Sequence, residues 1–187
     1  METIFKRRSI RKYTDKEVSD ELIQKLLKAG MVAPSAGNAQ TWEFIVIDDQ
    51  DILNQIPKFH PYSKMVPDAS KAILVCGDKE KELYNGFWPQ DCSAATQNIL
   101  LEAADRDLGA VWLGVYPEED RINRFQKLFN LPENIIPFSL IPVGYPAVEK
   151  KKNDRYDEEK VHYNQWWGVF MIKVVAKSKV KEDKIKE

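Results

Sequence analysis

The run Lys71-Ala72-Ile73-Leu74-Val75-Cys76-Gly77 constrains this chain more than any other segment. Between its ends the run is apolar without alternation, the pattern of a strand at a central position in a sheet. The rest of the chain must supply neighbours for it. Glu43 to Asp48 reads as a short strand, and Ala110 to Val115 as strand or extended chain. Ser139 to Gly144 reads as a strand that Pro142 restricts to an edge or a non-bonded position, because proline has no amide to donate.

Helical periodicity fills the intervals. Asp20 to Ala29 forms a helix with Ser19 as its cap, acidic residues in its first turn and Gly30 at its end. A longer helix runs from about Pro89 to Leu108, with Cys92, Ala95, Thr96, Ile99, Leu100, Ala103 and Ala104 on one face. Its small residues permit close approach of another helix, so it is both core helix and dimer element. A third helix spans roughly Glu118 to Phe129 and stops at Leu131-Pro132. A fourth, short one covers Asp157 to Tyr163.

A chain of 187 residues, 43% hydrophobic, can bury one good core and is short for two, so residues 1–187 are expected to form one domain. Within it, residues 149–187 read as a polar linker followed by a C-terminal arm. Lys plus Arg total 28 against 29 Asp plus Glu, which gives no global basic field for nucleic acid. No apolar stretch approaches bilayer length and no signal-peptide core is present, so a cytoplasmic protein without a membrane partner is expected. Cys76 and Cys92 sit in apolar contexts without zinc-site spacing and read as buried small hydrophobes. Glu158 precedes His162 by one helical turn, but a single pair in a charged stretch is no ligand set, and no metal is expected.

Two clusters carry chemistry. Arg7-Arg8-Ser9-Ile10-Arg11 offers guanidinium forks suited to phosphate, and Pro34-Ser35-Ala36-Gly37-Asn38 with Gln40-Thr41-Trp42 offers a turn with amide groups that match a heteroaromatic edge. Together they suit a nucleotide-like ligand. Alternation along an extended chain places Arg7, Ser9 and Arg11 on one side, with Arg8 and Ile10 on the other and Arg8 towards solvent. Ser35 lacks a Gly-x-Ser-x-Gly elbow, and the glycines form no dinucleotide fingerprint.

In order and spacing, these clusters, with Val111-Trp112-Leu113-Gly114 and Pro142-Val143-Gly144-Tyr145-Pro146, resemble the flavin-dependent nitroreductase family from Ile4 to about Trp167. The fit is best to its smaller bacterial and archaeal branch. The resemblance implies an α+β fold, a mixed central β-sheet flanked by helices, and a C-terminal arm that extends to the partner subunit of a homodimer. The apolar segment Val169 to Val175 would be that arm.

It also implies FMN as cofactor. By resemblance, Arg7, Arg8, Ser9 and Arg11 lie near the ribityl-phosphate and pyrimidine edge, with Arg8 the weakest member. Pro34, Ser35, Ala36 and Asn38 form the second flavin segment, and Trp112, Leu113 and Gly114 run beside N5, with the Gly114 backbone close to it. Relatives often carry an acidic residue where Leu113 stands. Lys152 and Arg155 match the C-terminal phosphate-binding cations, although Asn153 occupies the place where the family usually has lysine. Phe59, His60, Tyr62, Tyr84, Phe87 and Trp88 are candidates for the wall over the flavin's open face, in segments where specificity varies.

The activity implied is transfer of reducing equivalents from NAD(P)H to a nitroaromatic, a quinone or a similar electron-poor acceptor. The pattern is ping-pong, without a catalytic side chain and with NAD(P)H as a visiting substrate. The alternatives are a specialised flavoenzyme of the same fold, performing dehydrogenation or dehalogenation, and a flavin-binding or storage protein.

Overall fold

The computed structural model describes residues 2–149 and 154–166. Met1–Lys152 make up one compact unit and Asn153–Glu187 a second. In chain order the first unit contains α1 (Thr3–Lys6), α2 (Asp20–Met31), β1 (Trp42–Ile47), α3 (Gln50–Gln55), β2 (Lys71–Asp78), α4 (Trp88–Asp105), β3 (Gly109–Ala110), β4 (Leu113–Gly114), α5 (Glu119–Phe129) and β5 (Ile135–Gly144). This is an α+β fold in which helices flank a central sheet.

The sheet order is β1-β2-β5-β3, with β4 also paired to β5. All these ladders are antiparallel, and among the described residues the parallel component is a single bridge between Ser9 and Ala110. Every residue of β2 is buried. The apolar run has no alternation because the two faces of β2 serve two different cores. Ile73 and Val75 face one with Ile23 and Leu26 of α2 and Cys92, Ala95 and Ile99 of α4. Ala72, Leu74 and Cys76 face the other with Leu53 of α3 and Phe125 of α5. At about 1.5–3 kcal/mol for each fully buried large aliphatic side chain, these layers dominate the stability of the unit.

The structure sharpens several element boundaries. Gly30 lies within α2, whose C-cap is Val32. A Cβ at Gly30 would come within 3.1 Å of Ile99 and Phe44, so glycine is there for close packing of α2 on α4 and does not terminate the helix. Of the two places expected for Pro142, an edge or a non-bonded position, the structure fits the second, since β5 runs between β2 and the short strands β3 and β4. Pro142 is tolerated because Ile141 and Pro142 fall between the residues paired to β3 (Val143, Gly144) and those paired to β4 (Ser139, Leu140). The segment Ala110 to Val115, expected as strand or extended chain, is divided to match into β3 and β4, with Val111-Trp112 between them. Finally, Asn130 in the left-handed conformation closes α5, ahead of Leu131-Pro132.

In the second unit, the helix expected over Asp157 to Tyr163 is a single 3₁₀ turn, Glu158–Lys160, whose N-cap Asp157 accepts the Glu159 amide at 3.1 Å. Lys152, Trp167 and the expected arm at Val169 to Val175 lie outside the described residues. Among the described residues no helix is long and apolar enough to cross a membrane.

Candidate functional site

The first cluster is held in extended conformation against the sheet. Ser9 bridges Ala110, and the Ile10 amide donates to the Ala110 carbonyl at 3.0 Å. Gly109 makes this approach possible, because a Cβ there would lie 2.6 Å from Ile10 Cγ2. Tyr13 fastens the end of the segment, its hydroxyl lying 3.0 Å from the Ile10 carbonyl and 3.3 Å from that of Pro142. Burial raises the Tyr13 pKa and keeps the phenol protonated as donor. The parallel bridge therefore sets Arg11 alongside Trp112, joining two motifs that are remote in sequence.

Arg11, Trp112, Leu113 and Gly114 line one cavity of about 420 Å³, together with Pro61, Tyr62, Lys64 and Met65. That volume is in the ordinary range for a small-molecule or cofactor site, roughly 300–1,000 Å³. Its described lining carries two cations and no carboxylate. Gly114 opens directly onto free space, for a Cβ built there meets nothing within 4 Å. Behind the wall, the Gly114 carbonyl accepts two hydrogen bonds, from His60 Nε2 at 3.0 Å and from Arg121 Nη1 at 2.9 Å. A carbonyl cannot donate, so the proton of His60 must sit on Nε2. His60 Nδ1 is buried without a hydrogen-bond partner, and burial depresses the pKa of this ring, with the Gly114 contact opposing and the Arg121 charge adding to the depression.

Alternation along the first cluster holds for Arg8 and Arg11, but Arg8 does not point freely into solvent. It is half-buried, and its Nη1 donates to the Phe5 and Arg7 carbonyls at 2.9 and 2.7 Å. It lines a different cavity, with Lys6, Ile10, Leu100 and Val148. The reason is α1, whose C-terminal carbonyls capture the guanidinium. Arg7 and Ser9 are half-buried on the same segment.

The second cluster lies elsewhere on the unit. Its loop includes Gly37, Asn38 and Gln40 at positive φ (60, 57 and 50°), a conformation costly for glutamine. Three contacts hold it. The Ser35 hydroxyl accepts the Gln40 amide at 2.9 Å, Asp91 Oδ1 accepts the Ala36 amide at 2.9 Å, and Thr41 donates to Asp91 Oδ2 at 3.1 Å. Pro34 is exposed, and none of Pro34, Ser35, Ala36 and Asn38 is among the residues lining the Arg11 cavity.

The aromatic candidates divide in the same way. Tyr62 is on the cavity wall, whereas His60, 1% exposed, stands behind it as a backbone support. Phe59 packs edge-on against Phe125 in the core. Tyr84 and Phe87 are exposed, and the Tyr84 ring covers Gly37, where a Cβ would lie 2.8 Å from it. Trp88 is not among the residues lining the Arg11 cavity. It is 5% exposed, lies against Gly77 and packs on Tyr116 and Phe138. Its position at the start of α4 turns the indole inward.

Arg155 is an exposed residue of the second unit. Lys64, Met65, Asp91 and Arg121 escaped the sequence reading. Asp91 carried a weak signal as the acid in the first turn of a helix whose buried face is otherwise apolar or small, and Arg121 carried none. Both cysteines are buried, and burial drives the Cys76 thiol up to about 12 and that of Cys92 higher still, so neither is a nucleophile. Among the described residues no group of three or more His, Cys, Asp or Glu could hold a metal.

Comparison with known proteins gives the family and the fold. The model of the Nitroreductase family matches residues 4–82 and 61–145. A protein of Methanothermobacter thermautotrophicus, named "Putative NADH dehydrogenase/NAD(P)H nitroreductase", is 52% identical over 166 residues, covering 89% of this chain and 87% of its own. An FMN-dependent nitroreductase of Clostridium difficile superposes with a TM-score of 0.82 at 34% identity, covering 88% of this chain and 98% of that one. A Desulfovibrio desulfuricans structure solved in complex with FMN superposes with a TM-score of 0.76 at 34% identity, over 88% of this chain and 96% of its own.

Proposed function

The chain belongs to the nitroreductase family, and from that premise we propose that it binds one FMN per subunit and passes electrons from NAD(P)H to a planar, electron-poor acceptor such as a nitroaromatic or a quinone. The observation that carries this reading is the cavity in which Arg11 meets Trp112, Leu113 and Gly114. The residues present fit the group. Apolar walls suit a ring system, the Gly114 edge leaves room that a Cβ would fill, and Arg11 and Lys64 suit an anionic ligand. When bound, the flavin supplies two-electron exchange with a nicotinamide and an organic acceptor. The protein orients the ligand through the rigid bridge between Ser9 and Ala110 and holds the Gly114 backbone still with two donors.

The separation of the two clusters supports a homodimer as the functional form. Loop 34–41, with Tyr84 and Phe87 beside it, contributes nothing to the lining of the Arg11 cavity of its own chain. In this reading a second copy brings its loop to that cavity, and FMN binds at the subunit boundary.

Anaerobic titration of the purified protein tests the proposal. A yellow protein, or an apoprotein that quenches FMN fluorescence at one equivalent per chain, followed by bleaching with NADH or NADPH, is the expected result. Steady-state rates with nicotinamide and quinone both varied should give parallel double-reciprocal lines. Intersecting lines would move the reading to a specialised flavoenzyme, and flavin binding without turnover to a storage protein.

A further inference from the structure

Arg121 projects from the first turns of α5, is only partly exposed, and has no carboxylate within ion-pair distance among the described residues. Its neighbour Asp120 pairs with Arg124 at 3.6 Å instead. The guanidinium is used on two groups that leave its charge intact. It donates to the Gly114 carbonyl at 2.9 Å, and it lies 5.5 Å from the centre of the Tyr62 ring. Gly114 and Tyr62 are both walls of the cavity. His60, on the same carbonyl, shares the work of holding Gly114 but adds no charge when its buried ring is neutral.

We propose that Arg121 is a positioning residue that fixes a permanent positive charge behind the Gly114 wall, so that the cavity holds FMN more tightly in its reduced form than in its oxidised form. The inference rests on the FMN reading above. Uptake of two electrons and one proton leaves the reduced ring one unit more negative than the oxidised ring. The electrons come from NAD(P)H, which leaves as NAD(P)⁺ after giving up a hydride. A fixed cation beside a wall of the cavity would therefore favour the reduced state. The Leu113 side chain, beside it in the wall, contributes no opposing carboxylate.

The test compares full-length wild-type protein with three variants. Arg121→Gln keeps a donor for the Gly114 carbonyl without the charge. Arg121→Lys keeps the charge without the fork. Tyr62→Glu places a carboxylate on the exposed cavity wall about as far from the guanidinium as the ring it replaces, 5.5 Å, where it opposes the Arg121 charge, and it serves if the Arg121 variants fail to fold. The readouts are the Kd for oxidised FMN, by fluorescence quenching, and the midpoint potential of bound FMN, by dye equilibration. Arg121→Gln and Tyr62→Glu are expected to lower the preference for reduced over oxidised FMN by about tenfold, which is ~30 mV for a two-electron couple. The Kd for oxidised FMN should change less than about threefold in Arg121→Gln, Tyr62→Glu is read only through the ratio of reduced to oxidised affinity because Tyr62 lines the cavity itself, and Arg121→Lys should stay within about twofold of wild type in both readouts. A wild-type midpoint potential in both neutralised variants overturns the role of Arg121 while the FMN reading stands. Absence of FMN binding by the wild-type protein overturns both.

Discussion

The Asp91 carboxylate accepts the backbone amide of Ala36 at 2.9 Å and so ties the first turn of α4 to a loop more than fifty residues earlier in the chain. Asp91 is 4% exposed, and its other oxygen takes the Thr41 hydroxyl. Removing it strands the buried Thr41 hydroxyl and the half-buried Ala36 amide, at about 1–3 kcal/mol for a fully buried donor and less for the other. Asp91→Ala should therefore lose about 2–4 kcal/mol in urea unfolding and bind FMN more weakly. Asp91→Asn, which retains an acceptor for Ala36 and a partner for Thr41, should recover most of both. Equal losses in the two variants would show that charge, and not the hydrogen-bonded tether, is what matters.

Gly114 and Gly77 give opposite outcomes when enlarged. A side chain at Gly114 meets open space, so Gly114→Phe should keep stability within about 1 kcal/mol while filling the cavity and weakening FMN binding at least about tenfold. At Gly77 a Cβ would lie 2.2 Å from the Trp88 ring, so Gly77→Ala should cost about 1–3 kcal/mol through overpacking. Thermal melts alongside flavin titrations separate the two. Unchanged FMN affinity in Gly114→Phe would remove the cavity from consideration.

His60 is expected to make the protein acid-sensitive. Burial lowers its folded pKa below the ordinary value of 6.5, and Arg121 of α5, which shares its carbonyl partner, acts in the same direction. The unfolded chain thus takes up a proton more readily than the folded one as pH drops below 6.5, so stability is full above that pH and declines through the folded pKa. Unfolding midpoints measured from pH 8 to pH 5 should fall on the acid side, and His60→Gln should flatten that part of the curve. An unaltered slope in the variant would assign the acid sensitivity to other groups.

Catalysis should not depend on His60 as a proton donor, because its Nε2 proton is committed to Gly114 and its ring does not reach the cavity surface. His60→Ala should reduce kcat by less than about tenfold, and less than Gly114→Phe does. A His60→Ala enzyme that kept its FMN but lost nearly all turnover would contradict this and give the histidine a direct role.

The proposed dimer has a sequence-based test at the C-terminus. Val169 to Val175 is an apolar run in a strongly charged tail, and removing residues from Val169 onward should lower dimer content and bound flavin together, as linked assembly requires. Sedimentation velocity with flavin absorbance reads both. A truncated protein that remained dimeric and fully flavinated would relieve the tail of this task.

The sequence by itself determined what local rules control. The apolar run of β2 announced a buried strand, Ser19 and the acids after it announced the start of α2, and the small-residue face of α4 announced a core helix, because each depends on neighbours within a few residues. The order of the motifs was enough to point to the family. Tertiary structure decided what depends on distant partners. Only the packing of α2 on α4 shows that Gly30 is a spacer, and only the break between β3 and β4 explains Pro142 inside the sheet. The turn of Trp88 into the core, the withdrawal of His60 behind the wall and the approach of Arg121 to Gly114 were likewise invisible. A side chain's residue type limits what it can do, but which carbonyl, ring or cavity it meets is fixed by chain segments far away in sequence, whose relative positions no local pattern encodes.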